Sequence, residues 1–463
     1  MTTETEKKIW AYALKNAIEH EGKAQTNSVL NSLFHEGLKK EKIKSVLPAI
    51  QKAVDYINSL SPESQKKEFS QLENEIDRRK IRKGLPDLPN VGERVVMRFA
   101  PFPSGPLHIG NARILLLNDE YVKKYKGELL LVIDDTIGSA KKQIMPETYD
   151  LIKEGIKMLG ANYSREYKKS DRLELYYDYA EKLIKKGKAY VCSCSIEELR
   201  ENRKQGKECS CRQFPVAVQL ERWKKMFKAS PEEYTLRLKT NMQYKDPAFR
   251  DRVIFRISDR EHPLTKNRYR VWPLLDFSWA VDDHLLEITH VLRGKELMIE
   301  TEMEKYIFDI FGWKHPEFMH MGLLNFEGIK ISKSKGQKEI KEGKYTGWDD
   351  PRTWSIQSLI KRGIEPEALR KFLISLGIKP NEITVPIDIL YAENRKLLRE
   401  KAKREKITLG PGNIQVIMPD GKVTEGNADI TPALGELFYF IKFGYCKFNE
   451  IKNKKLVFYF AHK

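Results

Sequence analysis

The 463-residue sequence lacks any apolar run near the roughly 18 residues that a membrane-crossing helix needs; Leu129–Ile133 is typical of its longest. Membrane insertion is therefore not expected. The opening Met1-Thr2-Thr3-Glu4-Thr5-Glu6 lacks the cationic-then-apolar order of a secretory signal. Cysteine is scarce, five residues with four of them bunched, which excludes a disulfide scaffold. Internal repeats and low-complexity tracts are missing too, so a solenoid is excluded. Together these absences point to the cytoplasm. Acidic residues are outnumbered, 65 against 83 Lys and Arg, for a net charge of +18. A field of that sign attracts polyanions, nucleic acid first among them. With 41% hydrophobic and 32% charged residues the chain can bury a large core, and disorder is ruled out.

The pattern of apolar positions divides the chain. From Glu6 to about Lys83 it is helical, with Ile9, Leu14, Ile18, Val29, Leu33, Val46, Ile50, Val54 and Ile57 set among charges. Gly84-Leu85-Pro86-Asp87-Leu88-Pro89-Asn90 breaks it as a linker. Strand-like Arg94–Ala100, a helix to Lys124, strand-like Glu128–Asp134 and a helix over Pro146–Leu159 then make a βαβ unit of parallel sheet. A similar unit returns as strand Leu286–Leu292, helix Glu296–Phe311 and strand Glu317–Leu323. Helices are expected over Arg352–Arg362, Pro366–Leu376 and the Lys/Arg-rich Arg395–Lys406. Short β-rich runs follow at Ile414–Met418, Leu437–Tyr445 and Lys455–Phe460.

Three groups of residues carry chemistry. Pro103-Ser104-Gly105-Pro106-Leu107-His108-Ile109-Gly110-Asn111 joins the first strand to its helix. The free amides and positive end of that helix suit phosphate, Gly110 allows close approach, and His108 can donate to a triphosphate as charge builds. Lys330-Ile331-Ser332-Lys333-Ser334-Lys335-Gly336 offers ammonium groups on a loop able to close over pyrophosphate. Cys192-Ser193-Cys194 and Cys209-Ser210-Cys211 are two Cys-x-Cys pairs separated by 14 residues. Four thiolates in two close pairs suit a structural zinc ion, with no open position for catalysis. Cys446 stands alone in a β-rich run and reads as core.

A His-x-Gly turn after the first strand of a split parallel sheet, paired with a Lys-x-Ser-Lys-Ser loop after its last, resembles the signature of class I aminoacyl-tRNA synthetases. Arg98-Phe99-Ala100-Pro101, Asp134-Asp135-Thr136, Val281-Asp282-Asp283-His284-Leu285 and Thr289-His290-Val291-Leu292-Arg293-Gly294 narrow the resemblance to archaeal-type glutamyl-tRNA synthetases. It spans about Val91 to Ala392 and returns near the end of the chain. The resemblance implies catalytic roles for His108, Gly110, Lys330 and Lys333, and ATP contacts from His108, Gly110, Asn111 and Lys333. Asp134 matches the family residue that takes the substrate amino group, and Arg98 and Arg293 match arginines that contact glutamate. Arg293 argues against a glutaminyl enzyme, because a guanidinium fork grips a carboxylate. Zinc on Cys192, Cys194, Cys209 and Cys211 agrees with the family. The sequence departs from relatives at Phe102, where bacterial enzymes have a small polar residue, and at Leu275, where many have tyrosine.

The expected fold is thus multidomain α/β. Residues 1–90 are an appended helical domain and linker, and 91–189 and 271–346 are the halves of a Rossmann-like catalytic domain. Residues 190–270 are a zinc-containing insertion that binds the acceptor end, and 347–406 a helical stem-contact region. Residues 407–463 form an incomplete β-barrel-like anticodon-binding segment. The implied activity is glutamate–tRNA ligation with ATP, Mg²⁺ and structural Zn²⁺, by a cytoplasmic monomer acting on L-glutamate and tRNA(Glu). Whether tRNA(Gln) is also charged stays open. A glutaminyl-tRNA synthetase and a non-catalytic tRNA-binding relative are the rival readings.

Overall fold

The computed structural model describes residues 4–20, 22–35, 38, 42–76, 84–139, 143–329 and 331–463. The chain divides into two compact units, Met1–Lys83 and Gly84–Lys463. The first is helical: Glu4–Glu19, Thr26–His35, Ile43–Ser59 and Pro62–Leu72. Ile50, Ala53, Val54 and Ile57 recur at helical spacing and are buried with Ile9, Leu14 and Val29. Gln65, also buried, donates to the Gly22 and Ile57 carbonyls and so satisfies two chain turns.

The second unit is built on five strands, β1 (Val96–Phe99), β2 (Glu128–Ile133), β3 (Arg165–Lys168), then, after four strands of an insertion, β8 (His290–Gly294) and β9 (Glu317–Met321). Their order is β3-β2-β1-β8-β9, and every pairing is parallel. Residues alternate between two apolar layers, as a pleated strand requires. Met97, Phe99, Leu129, Leu131, Ile133 and Leu292 enter one, while Val96, Leu130, Val132 and Val291 enter the other. By the same parity Arg98 and Arg293 lie on the face of Val96 and Val291. The helix Ile109–Lys124 follows β1 and is buried on most sides. Its Arg113, among the most deeply buried side chains, donates to the Gly322 and Gly377 carbonyls and so ties the end of β9 to a later helix turn.

The insertion supplies β4 (Ala189–Cys192), β5 (Thr235–Leu238), β6 (Val253–Ile257) and β7 (Val271–Pro273), an antiparallel sheet in chain order. The helix Leu275–Leu285, which the sequence pattern left unassigned, follows it. The second parallel unit starts later than expected: His290 opens β8, because Leu286–Thr289 is spent on leaving that helix, with Glu287 at φ 54°.

A short parallel pair, β10 (Leu324–Phe326) and β11 (Ile383–Val385), leads to the helix Asp388–Lys401. The single helix expected over Arg395–Lys406 is corrected here. It stops at Lys401, and β12 (Lys403–Glu405) pairs with β15 (Leu437–Phe440), so an available sheet edge overrides local helix propensity. Between them lie β13 (Thr408–Ile417) and β14 (Val423–Asn427), and β16 (Gly444–Lys452) and β17 (Lys455–His462) complete the segment. The order is β12-β15-β16-β17-β13-β14. Among the described residues no ladder joins β12 to β14, so the barrel-like segment is an open sheet. Cys446 is fully buried within it, as read from the sequence. No described helix is long and apolar enough to cross a membrane.

Gly322, at the end of β9, is a tight approach: a Cβ there would stand 2.0 Å from the Asn381 carbonyl oxygen. A Gly322→Ala substitution is expected to destabilise the second unit by about 2 kcal/mol or more, because backbone must move to admit the methyl. Urea unfolding followed by tryptophan fluorescence checks it.

Candidate functional site

The chain runs from β1 outward through β2 to β3, then resumes at β8 on the opposite side of β1. That reversal opens a crevice at the carboxyl ends of β1 and β8, where open parallel sheets take their ligands. Arg98 ends in it from β1, Arg293 from β8, and Asp134 directly after β2.

On one side of the crevice, His108 is the N-cap of the helix Ile109–Lys124. Its Nδ1 accepts from the Gly110 amide at 3.0 Å and the Asn111 amide at 3.4 Å. Burial and the nearby Lys333 ammonium push its pKa down to about 3. The ring is therefore neutral near pH 7, and with Nδ1 engaged as an acceptor its proton sits on Nε2. Gly110 is required by this cap, since a Cβ would lie 2.9 Å from His108 Cε1. Lys333 opens the helix Lys333–Lys341, and its Nζ donates to the Gly105 carbonyl at 3.3 Å. The structure thus brings together His108, Gly110, Asn111 and Lys333 across more than two hundred positions of sequence. Lys330, the other loop lysine named above, lies outside the described residues.

Trp348 holds the two motifs in register. Cβ atoms added at Gly105 and Gly336 would stand 2.8 and 3.1 Å from its ring. Neither motif indicated this ring; the glycines two residues before Leu107 and three after Lys333 were the only trace of it.

On the other side of the crevice the predicted residues arrive already paired. Arg98 grips Asp283 through Nε and, at 2.8 Å, through a terminal nitrogen. Arg293 forks onto Glu304 at 2.6 and 2.9 Å and also reaches Thr301. Asp134 meets the Lys169 ammonium at 3.3 Å, and that ammonium donates to Ser278 at 2.7 Å. Arg172 and Tyr176 bind Asp282. Burial raises the Glu304 pKa even though Arg293 pulls it back, and burial lowers that of Lys169 despite Asp134. Trp279, on the helix Leu275–Leu285, lies under Arg98, Lys169 and Arg293, at 5.1, 5.0 and 4.8 Å from the ring centre. Lys169, Trp279 and Glu304 escaped sequence reasoning. Lys169 sits in an ordinary charged run, Lys168-Lys169-Ser170-Asp171-Arg172, and Glu304 in a helix rich in acids.

In the insertion, Cys192, Cys194, Cys209 and Cys211 place their sulfurs within 4.8 Å of one another. Cys192 and Cys209 are 3.7 Å apart, close to the ~3.8 Å edge of a tetrahedron with zinc–sulfur bonds of about 2.3 Å. Cys192 ends β4, Cys209 precedes the turn Ser210–Gln213, and Cys211 lies within it. Arg237 donates to both Cys192 and Cys209 at 3.6 Å, and Arg222 to Cys211 at 3.6 Å. Four sulfur donors of this spacing, with cations facing them, fit a closed zinc site.

The neutral state of His108 has a consequence for stability. Its pKa is lower in the folded chain than in the unfolded one, so the unfolded chain binds the extra proton and stability falls as pH drops from about 6.5 toward 3. His108→Gln is expected to remove about one proton's share of that slope. Urea midpoints measured from pH 7 to 4 check the difference.

A family model for the catalytic domain of class I tRNA synthetases, E and Q, matches residues 94–400. The glutamate–tRNA ligase of Methanocaldococcus jannaschii is 44% identical over 420 residues, covering 90% of this chain and 75% of that protein. The glutamate–tRNA ligase of Pyrococcus furiosus is 44% identical over 414 residues, 87% of this chain and 72% of its own. That of Thermococcus kodakarensis is 43% identical over 406 residues, 86% and 71%. A solved glutamate tRNA ligase from Elizabethkingia meningosepticum, in complex with its amino acid, aligns with a TM-score of 0.49 at 21% identity, over 66% of this chain and 70% of that one. By these matches, and with its split parallel sheet, the chain belongs to the class I tRNA synthetases of the glutamate and glutamine family, in the archaeal-type glutamate–tRNA ligase branch.

Proposed function

We propose that the chain ligates glutamate to the 3′ end of tRNA(Glu) at the expense of ATP, as a cytoplasmic monomer. The observation that carries this reading is the neutral His108 and the Lys333 ammonium meeting at the Pro103–Gly105 turn, at the amino end of a helix. In the first step a carboxylate oxygen of glutamate attacks the α-phosphorus of ATP in line, the bond to the bridging oxygen breaks, and pyrophosphate leaves. Glutamyl-adenylate results. In the second step a hydroxyl of the terminal ribose attacks the glutamyl carbonyl, AMP leaves, and its proton passes to the departing phosphate oxygen or to water.

Neither step needs a covalent enzyme intermediate; positioning and neutralised charge supply the acceleration. His108 donates its Nε2–H to the phosphates, while the Gly110 and Asn111 amides are spent on its Nδ1 and hold the ring in place. Lys333 places its charge where negative charge accumulates, with Lys330 supporting the same loop. Mg²⁺ travels with ATP as the hard counter-ion of its phosphates. In the glutamate pocket Asp134 receives the ammonium and Arg98 and Arg293 face the carboxylates. The pairs these groups make with Lys169, Asp283 and Glu304 hold them oriented before substrate enters.

The zinc held by Cys192, Cys194, Cys209 and Cys211 would clamp the insertion, which receives the acceptor end. The helices after residue 346 and the C-terminal sheet extend toward the inner corner and anticodon of the tRNA. Both tRNA(Glu) and tRNA(Gln) belong in every charging assay.

With ATP, glutamate and tRNA(Glu), the protein is expected to catalyse pyrophosphate exchange and tRNA charging. Lys333→Ala should lower kcat by about 100-fold with the KM for glutamate unchanged. Failure of the unaltered protein to charge either tRNA with glutamate would overturn the reading. The purified chain should also carry about one zinc ion by elemental analysis, lost in Cys209→Ser together with several degrees of thermal stability.

A further inference from the structure

Three cations share one aromatic ring in the crevice. Arg98, Lys169 and Arg293 all lie about 5 Å from the centre of the Trp279 indole. They come from β1, from the turn after β3 and from β8, so nothing in the sequence places them together. Cations repel at such range, and a π face that attracts each of them holds the group as a unit. Every cation in it is also tied to a carboxylate: Asp283, Asp134 and Glu304 respectively.

Two donors in this group are left over. Trp279 is 5% exposed, and its Nε1–H is buried with no acceptor among the described residues. Arg293 is 3% exposed, and its Nε–H is buried in the same condition, although its other nitrogens are paired. Buried donors are normally satisfied, and these two orphans sit on side chains that touch, with Arg293 Cζ 4.8 Å from the Trp279 ring centre. Two N–H donors, one of them on a guanidinium, suit a carboxylate, which brings as many as four lone-pair positions. A carboxamide brings fewer acceptors, and its own amide hydrogens would face cations.

We propose that Trp279 determines glutamate specificity, its ring holding Arg98, Lys169 and Arg293 as one cationic wall and its Nε1–H reserved, with Arg293 Nε–H, for the substrate's side-chain carboxylate. The inference rests on glutamate being the amino acid activated here. It assigns to the helix Leu275–Leu285 a direct part in selecting the substrate. It also explains why a large indole occupies a position walled by charges rather than one inside an apolar layer.

The test is steady-state kinetics of tRNA charging by the full chain, comparing the unaltered protein with Trp279→Phe and Trp279→Leu. Trp279→Phe keeps a π face and loses the N–H. It should raise the KM for glutamate about tenfold, the value of one hydrogen bond to a charged group, with kcat and the KM values for ATP and tRNA little changed. Trp279→Leu removes the platform too, and should raise KM further and narrow the preference for glutamate over glutamine. Thermal unfolding of each variant is measured alongside. Unchanged glutamate KM in Trp279→Phe overturns the role of the N–H. Equal losses for all three substrates, following the loss of thermal stability, overturn specificity in favour of a packing role. Should the unaltered protein fail to charge glutamate at all, the parent reading falls, and that outcome is visible before any variant is compared.

Discussion

Everything at the crevice depends on charges being removed from water in opposite pairs. Arg98 with Asp283, Lys169 with Asp134, Arg172 with Asp282 and Arg293 with Glu304 meet where β1 and β8 run side by side. A lone ion here would cost several kcal/mol in desolvation. Removing one partner of such a pair typically costs about 3–5 kcal/mol, while a matched apolar replacement of both can be neutral. The network is therefore a poor device for stability and a good one for order. It fixes guanidinium planes and an ammonium in place at the crevice, so little reorganisation is left for the moment of binding.

The sheet explains why these groups converge. Parallel strands with covered faces read as near-continuous apolar runs, and β1 and β2 stood out in the sequence for that reason. His108 and Lys333 were legible because turn chemistry and a cluster of lysines are local features. Lys169, Trp279 and Glu304 were not, because each gains meaning only from a partner dozens of positions away. The pairing of Arg293 with Glu304 shows the limit clearly. The sequence marked Arg293 as a carboxylate-binding fork, and two of its nitrogens do bind a carboxylate, but that carboxylate belongs to the chain itself.

The end of the chain was legible as β structure but not in its pairing. Residues 403–405 have helix-forming composition and still become an edge strand, since a partner strand satisfies their backbone at less cost than another helical turn. The cysteine cluster marks the opposite extreme. Two short motifs separated by a ten-residue helix, Ile196–Gln205, converge because a left-handed Gly206 turns the chain back toward β4. Here spacing alone carried the reading, as ligand geometry leaves few alternatives.

Trp348 imposes a constraint of another kind. One indole is the common floor beneath Gly105 and Gly336, so a side chain introduced on either loop would push against a surface that the other loop also needs. The two loops are therefore free to vary only in concert, and the indole's position is recorded in which pairs of changes a lineage can accept.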